Sequence, residues 1–410
     1  MPTGPLPTAD LPSLAQAPTD PAFVQDPYPF YDRLRAAGPL VRWQDYGLVV
    51  SARAAVVGQV LRDRRFGRAA PAGFGPAIPE RLRAFYDIED HSMLELDGPR
   101  HARLRGRVLR AFTSRRIAGM APEIEALAHR LIDALPATGS FDLIEGFARP
   151  LPVIVIARLL GVDPVHAPRL LEWSNAMVAM YQARRSPAIE DAACAAAAAF
   201  AAFLRDRLAE TRRAPGDDLL SALVAARENG GEDGGGDARL DEAEIVATAI
   251  LLLNAGHEAT VHTIGNAVAA ILRHRAQAAT GPAAVEALVE EVLRFDPPLH
   301  LFTRWVHEPC EIAGHVFARG DRIGCLLAAA NRDPSVWAEP ARFLPGRAAK
   351  PNLSFGIGPH FCLGAPLARL ELRAALGVLF ARLPGLRLAE SPRFADLYHF
   401  HGLERLVVRR

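Results

Sequence analysis

Lysine is almost missing from this chain: Lys350 is the single copy, although Lys+Arg together number 47. The cations are therefore guanidinium forks spread through the sequence and not a polybasic patch. Net charge is 47 − 46 = +1, so no global field draws in nucleic acid or an anionic membrane. Cysteine is scarce and scattered, at Cys194, Cys310, Cys325 and Cys362, with no CxxC pair. That pattern argues against a structural zinc site and against a secreted disulfide framework. The opening residues, MPTGPLPTADLPSLAQAPTD, lack the basic and apolar regions of a signal peptide. No stretch reaches the roughly 18 to 20 apolar residues that span a bilayer. These absences predict a cytoplasmic protein with neither membrane nor nucleic acid as partner.

What the chain does have is core. Half of its 410 residues are hydrophobic and 23% are charged, the composition of a globular enzyme and not of a disordered chain. Residues 1–20 read as a mobile lead-in and 21–410 as a single domain, mainly α with a minor β part. Segments 122–136 and 168–185 carry apolar residues at three- and four-residue spacing, and the alanine-dense 191–213 is a strong helix former. Residues 229–238, NGGEDGGGDA, have the composition of a flexible surface loop. Short apolar and β-branched runs at 40–51 and 310–328 supply the sheet component.

The spacing predicts one long helix from about Asp241 to Ala276, opened by a capping box of Asp241 and Glu244. Its segment IVATAILLLNAG is apolar on every face, so it must cross the interior. Into that run fall Asn254, Gly256, His257, Glu258, Thr260, His262 and Thr263. His257-Glu258 followed by His262 approaches the zinc-protease pattern H-E-x-x-H. The second histidine arrives at i+5 and so leaves the first one's helical face, which excludes it.

A second segment, LSFGIGPHFCLGAPLARLELRAAL (353–376), surrounds Cys362 with Gly356, Gly358 and Gly364. Glycines let backbone turn sharply and approach a bulky group. Pro366 suits the first turn of a following helix. A cysteine at such a helix N-terminus has its thiolate stabilised and is suited to ligate a metal.

Phe355-Gly356-Ile357-Gly358-Pro359-His360-Phe361-Cys362-Leu363-Gly364 is similar to the cytochrome P450 haem-ligand signature F-x-x-G-x-x-x-C-x-G. Other parts of that family's pattern follow in order, over roughly residues 25–405. Glu291 and Arg294 stand as E-x-x-R, residues 330–347 resemble the meander, and His101 with Arg105 stands as H-x-x-x-R. The resemblance is to soluble bacterial members. It implies a P450 fold with a long helix over haem b, axial ligation of iron by Cys362, and monooxygenase activity on an apolar small molecule. It further implies haem contacts from His101, Arg105, Ala255, Gly256, Arg304, Phe355, Gly358, His360 and Gly364, and a structural role for Glu291 and Arg294. Ala255 and Gly256 are expected to let the long helix open beside the iron.

Glu258 corresponds to the acid of the family's acid–alcohol pair, but Ala259 stands where threonine is usual and Thr260 follows one residue later. One residue is a rotation of about 100° on a helix, so Thr260 cannot replace that hydroxyl directly. Either the substrate brings a hydroxyl, or local unwinding recruits Thr260, or the reaction is coupling, desaturation or rearrangement. A non-catalytic haem-binding sensor is the alternative from another class.

The resemblance also implies a separate ferredoxin and NAD(P)H reductase as electron source, with Arg103, Arg107, Arg110, Arg369 and Arg373 as a docking face on a monomer. Expected substrate contacts are Phe74, Ile78, Met177, Met180, Leu253, Leu299, Leu301 and Phe400, drawn from regions 68–92, 170–190, the stretch after Pro298, and Tyr398–Leu403.

Overall fold

A run of side chains that is apolar on every face has to be surrounded, and Glu242–Arg273 is surrounded in this structure, a computed structural model describing residues 11–228, 240–274, 281–348 and 350–410. The capping box is present. The Asp241 carboxylate accepts from the Glu244 amide at 2.7 Å, and the Glu244 carboxylate accepts from the Asp241 amide at 3.1 Å. Helices Pro150–Leu159, Ala167–Val178, Pro187–Arg213 and Ala365–Arg382 pack around this central helix. The helix as described ends at Arg273; the expected end at Ala276 lies outside the described residues, as does the glycine-rich segment 229–238.

Helix Pro187–Arg213 is, by length and composition, apolar enough to cross a membrane, contrary to the sequence expectation. Within this fold it lays Ala193, Ala197, Phe200, Ala201, Leu204 and Leu208 into the core, with Phe200 stacked on Trp173 at 5.3 Å. An amphipathic stripe of that kind is how a surface helix of a globular domain buries itself.

The minor β part is a six-stranded sheet in the spatial order Ser13–Leu14, Val41–Trp43, Leu48–Ser51, Arg322–Leu326, Leu301–Val306, Phe66–Gly67. Ser13–Leu14 pairs in parallel with Arg42–Trp43. Residues 11–20 of the expected lead-in are thus tied into the sheet, while residues 1–10 lie outside the described part. Leu301 and Phe302 come to the centre of the molecule on the strand that pairs antiparallel with Arg322–Leu326.

Glu291 and Arg294 are buried together, one turn apart on helix Pro282–Phe295. The guanidinium donates to both carboxylate oxygens at 2.7 and 2.8 Å. It also donates to the carbonyls of Asn331, Pro340 and Arg342, while the Leu344 amide donates to Glu291. A buried pair tolerates desolvation only when its remaining donors and acceptors are satisfied in this way. The pair staples the segment 331–347 to the helix, directly before the cysteine loop.

Candidate active site

The cysteine loop is shaped by two glycines in the left-handed region, Gly356 (φ 65°) and Gly358 (φ 80°). At Gly358 a side chain would also strike the Leu61 carbonyl, so backbone of another segment occupies the space of a Cβ. The Cys362 amide donates to the Phe355 carbonyl at 3.0 Å, closing the loop. Helix Ala365–Arg382 starts immediately afterwards with Pro366 in its first turn. Burial pushes the Cys362 thiol up from its ordinary value, while the amides of Gly364 and Ala365 pull it down.

Basic side chains gather beside Cys362. Arg105 donates to the Phe361 carbonyl at 2.6 Å, and the His101 and His360 rings lie 4.2 Å apart. Burial, with the charges of His360 and Arg105, holds His101 down to about 4. Asp97 is the nearby carboxylate, and it is engaged by His360 at 2.9 Å and by the amides of Arg68 and Ala69. Arg304 is 4% exposed and, among the described residues, donates only to the carbonyl of its neighbour Thr303, at 2.9 Å. A buried guanidinium so poorly compensated is set to receive an anion.

Above Cys362 opens a cavity of about 510 Å³. Its roof is the central helix, contributing Asn254, Ala255, Gly256, Glu258, Ala259, Thr260 and Thr263. That helix is continuous through Ala255 and Gly256. Thr260 donates to the Gly256 carbonyl at 3.3 Å and Thr263 to the Ala259 carbonyl at 2.6 Å. The Glu258 carboxylate is bound by Nε2 of His262 at 3.0 Å and lies 3.4 Å from Nε2 of His257. Burial alone would raise Glu258, yet the two imidazoles outweigh it and hold the carboxyl well below the usual carboxylate range. Room for His262 comes from Gly402, where any side chain would collide with the imidazole.

The cavity brings together most of the expected haem-contact residues: His101, Arg105, Ala255, Gly256, Phe355, His360, Cys362 and Gly364. Gly358 and Arg304 are not among its lining residues. Of the expected substrate contacts, Leu299, Leu301 and Phe400 line it. Five do not. Met177, Met180 and Leu253 are core residues, Ile78 packs on the core from outside, and Phe74 is 47% exposed beside Arg319. The chain segments were well chosen but the helical register was not, since Val178, Tyr181, Leu252 and Asn254 line the cavity in place of their neighbours. Sequence reasoning also missed a polar end of the cavity formed by Arg68, Glu89, Tyr181, Arg322 and His399. Tyr181 donates to Glu89 at 2.7 Å, and burial with the nearby Glu95 pushes Glu89 up to about 8.

Comparison with known proteins places this geometry. Residues 284–383 match the family model described as cytochrome P450. Over its length the chain is 39% identical to the cytochrome P450 monooxygenase PikC of Streptomyces venezuelae, covering 98% of this chain and 94% of that one. The chain belongs to the cytochrome P450 family. It is also 39% identical to the vitamin D(3) 25-hydroxylase of Pseudonocardia autotrophica, over 94% of this chain and 91% of that one. Among solved structures it superimposes on P450BioI in complex with an acyl carrier protein ligated to hexadec-9Z-enoic acid. That match has a TM-score of 0.88 and 32% identity, over 95% of this chain and 100% of that one. The protein is an oxygen-dependent P450 monooxygenase with the P450 fold. The haem that the family implies fits the residues present: a cysteine sulfur at the cavity, glycine backbone around it, and an under-compensated cationic edge formed by Arg105 and Arg304.

Proposed function

We propose that this P450 inserts one oxygen atom into an apolar small molecule held between the central helix and the wall at Leu299, Leu301 and Phe400. The reading is supported chiefly by one juxtaposition: Cys362 on one side of the cavity and the imidazole-bound Glu258 on the other. Cys362 would hold the iron, and His101, Arg105, Arg304 and His360 would hold the propionate edge. When bound, haem supplies reduction of dioxygen and O–O cleavage, favoured by the electron density of a thiolate ligand.

The chain's own part is proton handling. Glu258 stays ionised because His257 and His262 compensate it, and as a fixed carboxylate acceptor it is placed to orient a proton-donating hydroxyl or water at the cavity surface. His262, one turn further on, is placed to pass a proton to the same carboxylate. Ala259 contributes no hydroxyl to this roof, and the Thr260 and Thr263 hydroxyls are turned onto helix carbonyls. We therefore favour a hydroxyl delivered by the substrate, or a water beside it, as the missing alcohol. An uninterrupted helix at 254–260 argues against recruitment of Thr260 by unwinding.

Electrons would come from a separate ferredoxin and its reductase in the cytoplasm. Of the expected docking arginines, Arg103 pairs with the buried Glu244 and Arg369 with Glu290 at 2.5 Å, so these two are structural. Arg107, Arg110 and Arg373 remain as docking candidates.

The deciding experiment is a ligand screen on the ferric protein, following the low-to-high-spin Soret shift with paired hydroxyl-bearing and hydroxyl-free compounds. Shifts confined to hydroxylated members support substrate assistance. Equal shifts, with equal product per NADH, overturn it.

A further inference from the structure

Strand alternation makes the cavity wall two-sided. Leu299 and Leu301 line the cavity, while His300 between them is fully buried on the other side. Across from them His399 and Phe400 line the cavity, and His401 turns away with 5% exposure. The two segments are joined by backbone, His300 amide to the His399 carbonyl at 3.1 Å and His401 amide to the Pro298 carbonyl at 2.8 Å.

Behind this wall the two imidazoles meet Asp296, the residue that ends helix Pro282–Phe295. Nε2 of His401 lies 3.6 Å from the Asp296 carboxylate and Nε2 of His300 lies 3.9 Å from it. One ligand atom from each residue falls within 4.8 Å of the other two. Nε2 of His300 is buried and has no close hydrogen-bond partner among the described residues, although the Pro297 backbone carbonyl also faces this ring. Its other nitrogen, Nδ1, is 2.8 Å from the Tyr31 hydroxyl. When Nδ1 carries the proton and donates it to Tyr31, Nε2 presents a lone pair to the cluster, the arrangement that orients metal-bound histidines. Tyr28 donates to the Asp296 carboxylate at 2.7 Å, and Asn266 donates to the backbone carbonyls of both Asp296 and His401.

We propose that Asp296, His300 and His401 form a binding site for one divalent transition-metal ion of the zinc class, which fastens the two segments of the cavity wall to the end of helix Pro282–Phe295. Two imidazoles and a carboxylate are the donor set zinc and its neighbours prefer over magnesium or calcium. Tetrahedral zinc with bonds near 2.0–2.2 Å needs ligand atoms about 3.3 Å apart, and the two imidazoles lie 3.6 and 3.9 Å from the Asp296 carboxylate. Arg332, whose guanidinium lies over the Tyr28 ring, opposes the ion electrostatically. The site is accordingly weaker than one formed by four cysteines.

The test uses untagged haem-loaded protein, treated with chelator, dialysed against buffered zinc and measured for zinc and iron together. One zinc per iron is expected in the wild type. His300→Gln and Asp296→Asn should each lose that zinc, and Tyr31→Phe, which keeps all three ligands, should weaken competition against a fluorescent zinc chelator about 10- to 100-fold. Hydrogen exchange at 298–301 and 398–402 should slow when zinc is added. Folding of each variant is read from the reduced carbon-monoxide spectrum, and a variant that fails it is replaced by His401→Gln. Absence of zinc from the wild type, or zinc retained equally by the folded variants, overturns the proposal and leaves a hydrogen-bonded or water-bridged cluster.

Discussion

Glu258 and His262 form a carboxylate–imidazole pair one helical turn apart, at 3.0 Å, on the roof of the cavity. The family's usual partner for this acid is an alcohol on the next residue. Here the next residue is Ala259, and the polar partner lies four residues on.

Substituting either member should therefore uncouple oxygen activation from substrate binding. For Glu258→Gln we expect turnover to fall about 10²- to 10⁴-fold, the span of general acid–base catalysis. The resting spectrum should be preserved. His262→Gln should show a smaller loss with more NADH consumed per product. Unchanged coupling in both variants would remove the pair from proton delivery.

The polar end of the cavity gives a pH signature. Glu89 is raised to about 8 by burial and by Glu95, so in the folded protein it is protonated at neutral pH. A carboxyl raised by folding contributes its stability at pH below the unfolded value and loses it as pH rises through about 8. The stability that Glu89 contributes should fall as pH rises from the ordinary carboxylate range to about 8 and level off above it, apolar-ligand affinity should drop as the folded group ionises near pH 8, and Glu89→Gln should flatten both. A wild-type ligand titration that is level across this window contradicts the assignment.

Breaking the Glu291–Arg294 pair should cost about 3–5 kcal/mol, because removal of one partner leaves the other buried and uncompensated. Glu291→Gln is the milder probe and Arg294→Ala the harsher. Thermal unfolding reads both, and a loss of under about 1 kcal/mol would place the pair among ordinary surface contacts.

Side chains that line the cavity should separate from those that only resemble liners in sequence. Phe400→Ala and Leu299→Ala should alter ligand affinity and product distribution. Met177→Ala, in the core, should cost about 2–5 kcal/mol of stability with little change in ligand preference. Gly358→Ala should prevent haem incorporation, since it needs a positive φ and meets the Leu61 carbonyl. Its reduced carbon-monoxide spectrum reports the loss directly.

The sequence made the helical character, the capping box, the cysteine loop and the central helix legible, because each rests on local spacing or on residues of unusual conformation. It placed Met177 and Met180 at the cavity where Val178 and Tyr181 stand. Periodicity gives a helix two or more apolar edges, and only packing against helix Pro187–Arg213 decides which edge turns inward. Glu89 was invisible for a different reason: a buried acid in a charged segment looks like a surface residue until Tyr181, more than ninety positions away, is seen to donate to it. His262 did carry a signal, its i+4 spacing from Glu258, which was obscured while the spacing was counted from His257.

Along residues 299–301 and 399–401 two duties share one wall: Leu299, Leu301, His399 and Phe400 face the cavity, while His300 and His401 are buried away from it. Inward positions can vary from one descendant to the next and change which molecules are accepted. The outward histidines keep the wall in register with Asp296 and the sheet behind it. Mutational drift in specificity is thereby insulated from mutational damage to the scaffold, and libraries aimed at new substrates would do well to randomise Leu299, Leu301 and Phe400 while leaving His300 and His401 alone.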